Sequence, residues 1–253
     1  MRLRGRGPVA EAAIPSARRE RYARQGRWFY PVRSRLLLRA GIRERRRVLD
    51  LGCGTGVVTR ELRRRCRGRV TACDADPGVF REAPANFEGV ERTAARAEDL
   101  PFEDGAFDLA FTQMFFLWAR DPVKAVSEIV RVLEPGGVLV AAAEPDYGGR
   151  IEHPESFALT EALVRGLRSQ GADPFIGRRL RGLMMEAGLE VESGLHPSLL
   201  DRDRLGDSLD EEYALARELG AERSPGGKAL EDLREDPALF LFMPYFHFLC
   251  RKK

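Results

Sequence analysis

The sequence lacks any apolar run long enough to cross a membrane, and its first residues contain no apolar core of a secretory signal. Histidine and cysteine are scarce, with three and four copies in 253 residues. The cysteines form no CxxC pair and have no histidine nearby, which argues against a zinc site and against a secreted disulfide framework. These absences predict a soluble, cytoplasmic protein with no membrane span and no metal centre.

Lysine is also rare, because only four of the 42 basic residues are Lys. The formal net charge is +3, but residues 1–70 contain 21 Arg and five acidic residues, a net charge of +16. A segment this basic can meet nucleic acid, an anionic substrate or an acidic membrane surface. The alternative is a solvent-exposed, arginine-rich helical face that pairs with acidic residues elsewhere in the chain.

The chain does contain a regular alternation of strand and helix patterns. The predicted strands cover residues 48–51, 69–73, 90–95, 107–112, 138–143, 189–195 and 239–250. Strands that alternate with helices at this spacing predict a parallel sheet with helices on both faces. Pro244 lies inside the last strand and predicts that this strand is an edge strand or contains a bulge.

The predicted organisation is a single structural domain in four segments. Residues 1–45 form a basic helical extension, divided by Pro31. Residues 46–145 form a nucleotide-binding core, residues 146–236 a helical cap with the sixth strand, and residues 237–253 the final edge strand. Within the cap, helices are expected at residues 154–170, 174–187, 208–219 and 227–234.

The stretch 48–58 is the strongest local signal. An apolar run ends in Gly52, Gly54 and Gly56, after which apolar residues recur at every fourth position, as on one face of a helix. Such glycines let a ligand approach bare backbone, and the start of the helix directs unpaired N–H groups at it. Asp74 ends the next strand, where an acid can accept hydrogen bonds from both ribose hydroxyls. The spacing is G-x-G-x-G, without the last offset of the dinucleotide fingerprint, although an NAD site stays possible on these residues alone.

Further segments follow in a recognisable order. They are VLDLGCGTG at residues 48–56, the strand at 70–74, AEDLPF at 97–102, Phe107-Asp108, and RVLEPGG at 131–137. Together these motifs resemble the class I S-adenosylmethionine-dependent methyltransferases, most closely the type 11 set of small-molecule enzymes that includes those of ubiquinone and menaquinone biosynthesis. The resemblance implies an α/β, Rossmann-like, doubly wound sheet of seven mostly parallel strands whose last strand is antiparallel. It also implies S-adenosylmethionine as the cofactor.

The resemblance further implies which residues hold this cofactor. They are Asp50, Gly52, Cys53, Gly54, Gly56, Asp74, Ala97, Glu98 and Gln113. In this assignment Asp50 orients the loop or meets the cofactor's amino group, Asp74 holds the ribose, and the Ala97 backbone N–H meets the adenine. Arg96 stands where the family often has Asp or Asn, which leaves Glu98 or its neighbour Asp99 as the candidate partner of the adenine.

Candidate contacts to the methyl acceptor are Tyr30, Trp118, Glu144 and Tyr147. The last three follow strands at the carboxyl edge of the sheet, whereas Tyr30 belongs to the N-terminal helices that precede the glycine-loop strand. A core position is the alternative for Trp118. No residue is assigned as a catalytic acid or base, because methyl transfer from a sulfonium needs alignment and exclusion of water rather than proton transfer.

The leading hypothesis is therefore methyl transfer to a small, partly apolar metabolite by direct displacement. One alternative is an RNA methyltransferase that uses the basic N-terminal segment. Against it, the residues after the fourth strand read Thr-Gln-Met-Phe (112–115) and lack the [Asp/Asn]-Pro-Pro-[Phe/Tyr] tetrapeptide that grips base amines. The other alternative is a regulatory protein that binds S-adenosylmethionine without turnover.

Overall fold

A computed structural model describes residues 16–154, 159–201 and 236–253, in which eight strands join into one sheet. The strands are β1 (Arg47–Leu51), β2 (Arg69–Asp74), β3 (Glu91–Ala94), β4 (Phe107–Gln113), β5 (Leu133–Pro145), β6 (Ile151–His153), β7 (Leu189–Asp201) and β8 (Phe240–Lys252). The helices are α1 (Ser16–Trp28), α2 (Tyr30–Arg39), α3 (Val57–Arg65), α4 (Val79–Glu82), α5 (Pro122–Val132), α6 (Thr160–Ser169) and α7 (Ile176–Glu186). Short 3₁₀ turns lie at Ile42–Glu44, Pro84–Phe87, Phe116–Trp118 and Tyr147–Gly149.

The strand order confirms the predicted fold class. The strands lie in the order β3-β2-β1-β4-β5-β8, and β7 pairs with the other side of β8. β1 to β5 pair in parallel, and β8 runs antiparallel to its neighbours. β1, β2 and β4 are buried along almost their whole length, because helices cover both faces of a sheet built by parallel crossovers.

The prediction that the last strand lies at an edge is wrong. β8 has β5 on one side, β6 continues that same side, and β7 pairs along the full length of the other side. Pro244 lies where the pairing changes from β5 to β6, and there its carbonyl accepts a hydrogen bond from Asp146 N at 3.1 Å. The bulge occurs in β5 instead, between Ala141 and Glu144, where Ala143 has a φ of +56°.

The helices lie on both faces of the sheet. The crossover β1–α3–β2 and the crossover β4–α5–β5 run in opposite directions along the sheet, so right-handed connections place α3 and α5 on opposite faces. α2 packs against β5 and contacts α3, and α7 packs against α5, β7 and β8. α1 and α2 are separate helices, with Pro31 in the first turn of α2 as predicted.

Of the predicted helical cap, α6 and α7 are among the described residues, and they do different things. α7 buries Ile176, Leu180 and Met184 and covers the sheet. α6 contacts the turn Tyr147–Gly149 at the carboxyl edge of the sheet. The helices predicted at 208–219 and 227–234 lie outside the described residues. No helix in the described part of the chain is both long enough and apolar enough to cross a membrane.

Candidate active site

A cavity of about 840 Å³ opens at the carboxyl edge of β1, β2 and β4, where the parallel strands end. Ten of the thirteen residues predicted for the site lie on its wall. They are Asp50, Gly52, Cys53, Gly54, Asp74, Ala97, Glu98, Gln113, Trp118 and Tyr147. Tyr22 and Gln25 of α1 and Leu167 and Gln170 of α6 also line it, so helices from two parts of the chain close over the sheet edge.

The glycine loop between β1 and α3 leaves its backbone bare at the cavity wall. Gly52 and Gly54 have φ values of +69° and +51°, which side chains with a Cβ rarely adopt. A Cβ on Gly52 would lie 2.5 Å from Cδ2 of Phe115, so a larger residue fits neither the backbone nor the space. Gly56 also has a positive φ, but it caps α3 and faces Phe87 rather than the cavity.

Asp74 joins the glycine loop to the end of β2. Its Oδ2 accepts a hydrogen bond from Gly54 N at 2.9 Å, and its Oδ1 accepts one from Asp76 N at 3.0 Å. Each carboxylate oxygen can accept a further bond, so the side chain keeps acceptor capacity on the cavity side. Burial raises the pKa of Asp74, and the N–H donors act in the opposite direction.

Asp50 contributes to the cavity wall, but its side chain is buried beneath the loop. Its Oδ2 accepts a hydrogen bond from Thr59 Oγ1 at 2.6 Å, which ties the end of β1 to the first turns of α3. Burial raises the pKa of Asp50 to about 7, the Thr59 hydrogen bond lowers it, and the nearby Asp74 charge raises it. Of the two predicted roles, this contact supports orientation of the loop.

Glu98 lines the cavity, but its carboxylate is already held by the chain. Oε1 accepts hydrogen bonds from Arg120 N at 3.0 Å and Asp121 N at 3.3 Å. Oε2 lies 3.3 Å from Arg96 Nη2. The Arg96 that departs from the family pattern therefore pairs with the predicted adenine partner, and both side chains stand beside the buried Ala97 at the cavity wall.

Gln113, at the end of β4, is positioned by an arginine that the sequence analysis missed. Arg33 Nη1 donates to Gln113 Oε1 at 2.9 Å, and Nη2 donates to the carbonyl of Gly26 at 2.9 Å. The same guanidinium forms an ion pair with Glu61 at 2.6 Å. Arg33 is 2% exposed. The spacing could have indicated it, since Arg33 precedes Leu36 and Leu37 by three and four positions and shares their buried helix face.

Two predicted acceptor contacts are placed elsewhere. Tyr30 is 52% exposed and lies beside Arg33 outside the cavity wall. Glu144 is fully buried, and its carboxylate accepts hydrogen bonds from Phe115 N at 3.3 Å and Phe116 N at 3.0 Å. It therefore holds the segment after β4 instead of facing a ligand. An acid directly after a buried strand can serve a neighbouring turn as readily as a ligand, and the sequence does not distinguish the two.

The other two acceptor candidates line the cavity. Trp118 is 48% exposed, so it is not the core residue that was the alternative, and it lines the cavity together with Met114 and Phe115. Tyr147 is buried in the wall, and its backbone N donates to the carbonyl of Pro174 at 2.8 Å. Together they give this part of the cavity an aromatic and apolar surface.

Six arginines of the basic segment lie at the opposite end of the sheet. A shallow groove at the amino ends of β1 and β2 is lined by Arg43, Arg45, Arg46, Arg47, Arg67 and Arg69. Arg46 and Arg47 pair with Glu134, an acid from the later part of the chain. Among the described residues 16–70, no arginine lines the cavity. This distribution matches the solvated, acid-paired alternative for that part of the segment.

Comparison with known proteins identifies residues 49–141 as a match to the methyltransferase domain family. The malonyl-[acyl-carrier protein] O-methyltransferase of Halorhodospira halophila is 31% identical over 179 residues, which cover 69% of this chain and 55% of that protein. The protein BH2331 of Bacillus halodurans C-125 has a similar structure, with a TM-score of 0.61 and 21% identity over 87% of this chain and 97% of that one. Geranyl diphosphate C-methyltransferase of Streptomyces coelicolor, solved with S-adenosyl-L-homocysteine, aligns with a TM-score of 0.53 and 17% identity, covering 82% and 71%.

The chain spans between 35% and 55% of the length of the first curated relatives that it matches. At 21% and 17% identity, the two solved structures show the shared fold alone. The domain match indicates S-adenosylmethionine as the cofactor. The cavity fits this molecule, because it combines a side-chain-free glycine loop with a carboxylate fixed beside it.

Proposed function

We propose that this chain, whose residues 49–141 match the methyltransferase domain family, transfers the methyl group of S-adenosylmethionine to a small, partly apolar acceptor. The observation that carries the proposal is the hydrogen bond between Gly54 N and the Asp74 carboxylate. This bond holds two parts of the cavity wall together. One is the glycine loop, whose bare backbone a cofactor can approach, and the other is the carboxylate suited to accept hydrogen bonds from ribose hydroxyls.

The chain's own residues would act mainly by positioning. Asp74 would accept hydrogen bonds from the ribose, and the N-terminus of α3 would favour the negative end of the cofactor. Bound S-adenosylmethionine supplies a methyl group on a positively charged sulfur, which departs as a neutral thioether. The walls contributed by α1 and α6 would exclude water and hold the acceptor in line with that methyl group.

The acceptor side of the cavity supports a partly apolar substrate. Met114, Trp118 and Leu167 contribute apolar surface, and Tyr147 and Gln170 add polar groups at the wall. A pocket of this composition orients an apolar molecule through a few polar contacts. Since one relative is named for methylating malonyl-[acyl-carrier protein], a malonyl thioester is the first acceptor to test.

The first test is cofactor binding by isothermal titration calorimetry with S-adenosylhomocysteine. We expect the wild type to bind it and Asp74→Ala to reduce the affinity at least about tenfold, because a hydrogen bond to a charged group is worth about 1.5–3 kcal/mol. Asp76→Ala is the matched control, since Asp76 is an exposed neighbour that does not line the cavity. If the wild-type protein does not bind S-adenosylhomocysteine, the proposal is contradicted.

The second test is turnover. Wild-type protein, S-adenosylmethionine carrying a labelled methyl group, and a malonyl thioester are incubated, and methyl ester and S-adenosylhomocysteine are quantified by mass spectrometry. Equal amounts of the two products are expected, because each displacement forms one of each. A panel of apolar carboxylates, phenols and amines follows. Binding of the cofactor with no product from any acceptor would instead favour the regulatory alternative.

A further inference from the structure

The contact between Arg33 and Gln113 determines which way the Gln113 amide faces. A guanidinium has N–H donors and no acceptor, so only the carbonyl oxygen of Gln113 can meet it. The 2.9 Å bond from Arg33 Nη1 to Gln113 Oε1 therefore leaves the amide nitrogen as the remaining polar atom of a side chain that lines the cavity. A free glutamine could present either end, whereas this one presents a donor.

Burial makes this orientation rigid. The Arg33 side chain is 3% exposed, and its other donors are taken by the carboxylate of Glu61 on α3 and by the carbonyl of Gly26. A rotated Gln113 would place an amide N–H₂ against the guanidinium and leave a buried donor of Arg33 without its acceptor. Arg33 itself does not line the cavity, so its hydrogen bond acts there through Gln113.

We propose that Arg33 sets Gln113 as an obligate hydrogen-bond donor to the carboxylate of the cofactor's methionine moiety, so that the pair selects a carboxylate-bearing cofactor. This inference rests on the proposed function, because it assumes that S-adenosylmethionine occupies the cavity. Gln113 would be a specificity-determining contact. Arg33, which acts through it, would be a positioning residue.

The sheet order supports the carboxylate as the partner. Asp74 ends β2, Gln113 ends β4, and β1 with its glycine loop lies between them. Neighbouring strands are about 4.8 Å apart, so the two side chains start from points about 10 Å apart. With the ribose at Asp74, the methionine end of the cofactor extends across β1 towards β4. Of the two charged groups there, the ammonium is a donor and the carboxylate an acceptor, and only the acceptor complements an amide N–H₂.

The Arg33 guanidinium also links α1 to the Gln113 contact. Its bond to the Gly26 carbonyl holds the last turns of α1, and Tyr22 and Gln25 of that helix line the cavity. Substitution of Arg33 therefore changes the wall as well as the amide. Substitution of Gln113 removes the amide but leaves the Arg33 bonds to Gly26 and Glu61 in place, so comparing the two substitutions distinguishes cofactor selectivity from packing of α1.

The experiment compares two probes by calorimetry: S-adenosylhomocysteine and the same thioether without its carboxylate. We expect wild-type protein to bind the carboxylate-bearing probe about 10- to 100-fold more tightly. Gln113→Leu and Gln113→Glu should lose most of that preference and bind the decarboxylated probe within about threefold of wild type, because no other contact to this probe is removed.

The control is Arg65→Met. Arg65 shares the Glu61 carboxylate at 2.8 Å and does not touch Gln113, so its removal tests the ion pair without the amide. We expect it to keep the wild-type preference. Arg33→Met combined with Glu61→Met, which removes both members of the Arg33–Glu61 ion pair, should lose most of that preference. Thermal unfolding of each variant verifies that it is folded.

The inference is overturned if Gln113→Leu keeps the wild-type preference, or if it weakens both probes equally. In the first case the amide faces another group; in the second it contributes packing without selectivity. A wild type that binds neither probe is a different result, since it refutes the proposed function itself.

Discussion

The buried carboxyl of Glu144 makes the stability of this protein depend on pH in a direction opposite to that of an ordinary salt-bridged acid. Glu144 is fully buried near the end of β5, and burial raises its pKa from 4.5 to about 8, against the lowering effect of the Phe115 and Phe116 N–H donors. Between these two pH values the folded protein binds one proton more than the unfolded chain does. Stability therefore falls as the pH rises through this interval.

The magnitude follows from the two pKa values. A carboxyl that titrates at 4.5 when unfolded and at about 8 when folded lowers the free energy of unfolding by roughly 3–4 kcal/mol between pH 5 and pH 8. Glu144→Gln has nearly the same shape but does not titrate. Its single amide oxygen can accept from only one of the two backbone N–H groups, a loss that is the same at every pH and leaves the change over the interval unaffected. Relative to wild type, the variant should gain this amount of stability over the interval.

The measurement is urea unfolding of both proteins at several pH values from 5 to 8. Charge effects from the rest of the chain cancel in the difference between the two proteins. Glu161→Gln is the control, because its side chain is 90% exposed and its difference from wild type should stay flat. A flat difference for Glu144→Gln as well would refute the reasoning, since it would mean that the carboxyl is solvated or already ionised in the folded protein.

Further predictions concern the loop, a thiol and a helix–loop junction. Gly52→Ala should weaken S-adenosylhomocysteine binding at least about tenfold, because its Cβ would lie 2.5 Å from Phe115, whereas Gly136→Ala has a similar φ with open space around it and should leave binding unchanged. Cys53 lies in the cavity wall and burial raises its pKa, so it should react with maleimide more slowly than a free thiol. Bound S-adenosylhomocysteine should slow the reaction further, and equal rates with and without this ligand would argue against a position of Cys53 in the cofactor site. Arg131 donates to the carbonyls at both ends of the loop 100–102 and to Glu128, so Arg131→Gln should lower the free energy of unfolding by about 1–3 kcal/mol in urea.

Local chemistry made much of this fold predictable. The run that ends in Gly52 could be interpreted because a positive φ and an uncovered backbone both require glycine. The turn after β1 has that geometry. Asp74 was identified by its place at the end of the next strand, and it lies on the cavity wall. In both cases the residue type is dictated by the backbone or by the ligand edge of a parallel sheet.

Features that depend on distant partners were not predictable. The sequence shows that β8 is apolar, but not that β5 and β7 flank it, because periodicity describes a strand and not its neighbours. The spacing places Arg33 on a buried helix face, but its contacts with Glu61 and Gln113, 28 and 80 positions away, cannot be read from the sequence. Glu144 was expected to face the acceptor. It instead accepts a hydrogen bond from Phe116 N in the segment after β4, a long-range contact that no short sequence motif indicates.

The interior position of β8 bears on how the chain is made. β5 and β7 are translated before their shared partner β8, which begins at Phe240. Until β8 is available, one edge of β5 and one edge of β7 lack the strand with which they pair in the folded protein. Two exposed strand edges are templates for pairing with other chains. Until residues 240–252 leave the ribosome, the sheet of the nascent protein is therefore expected to stay incomplete between β5 and β7. Its yield in cells should then depend on chaperones that bind these unpaired strand edges during synthesis.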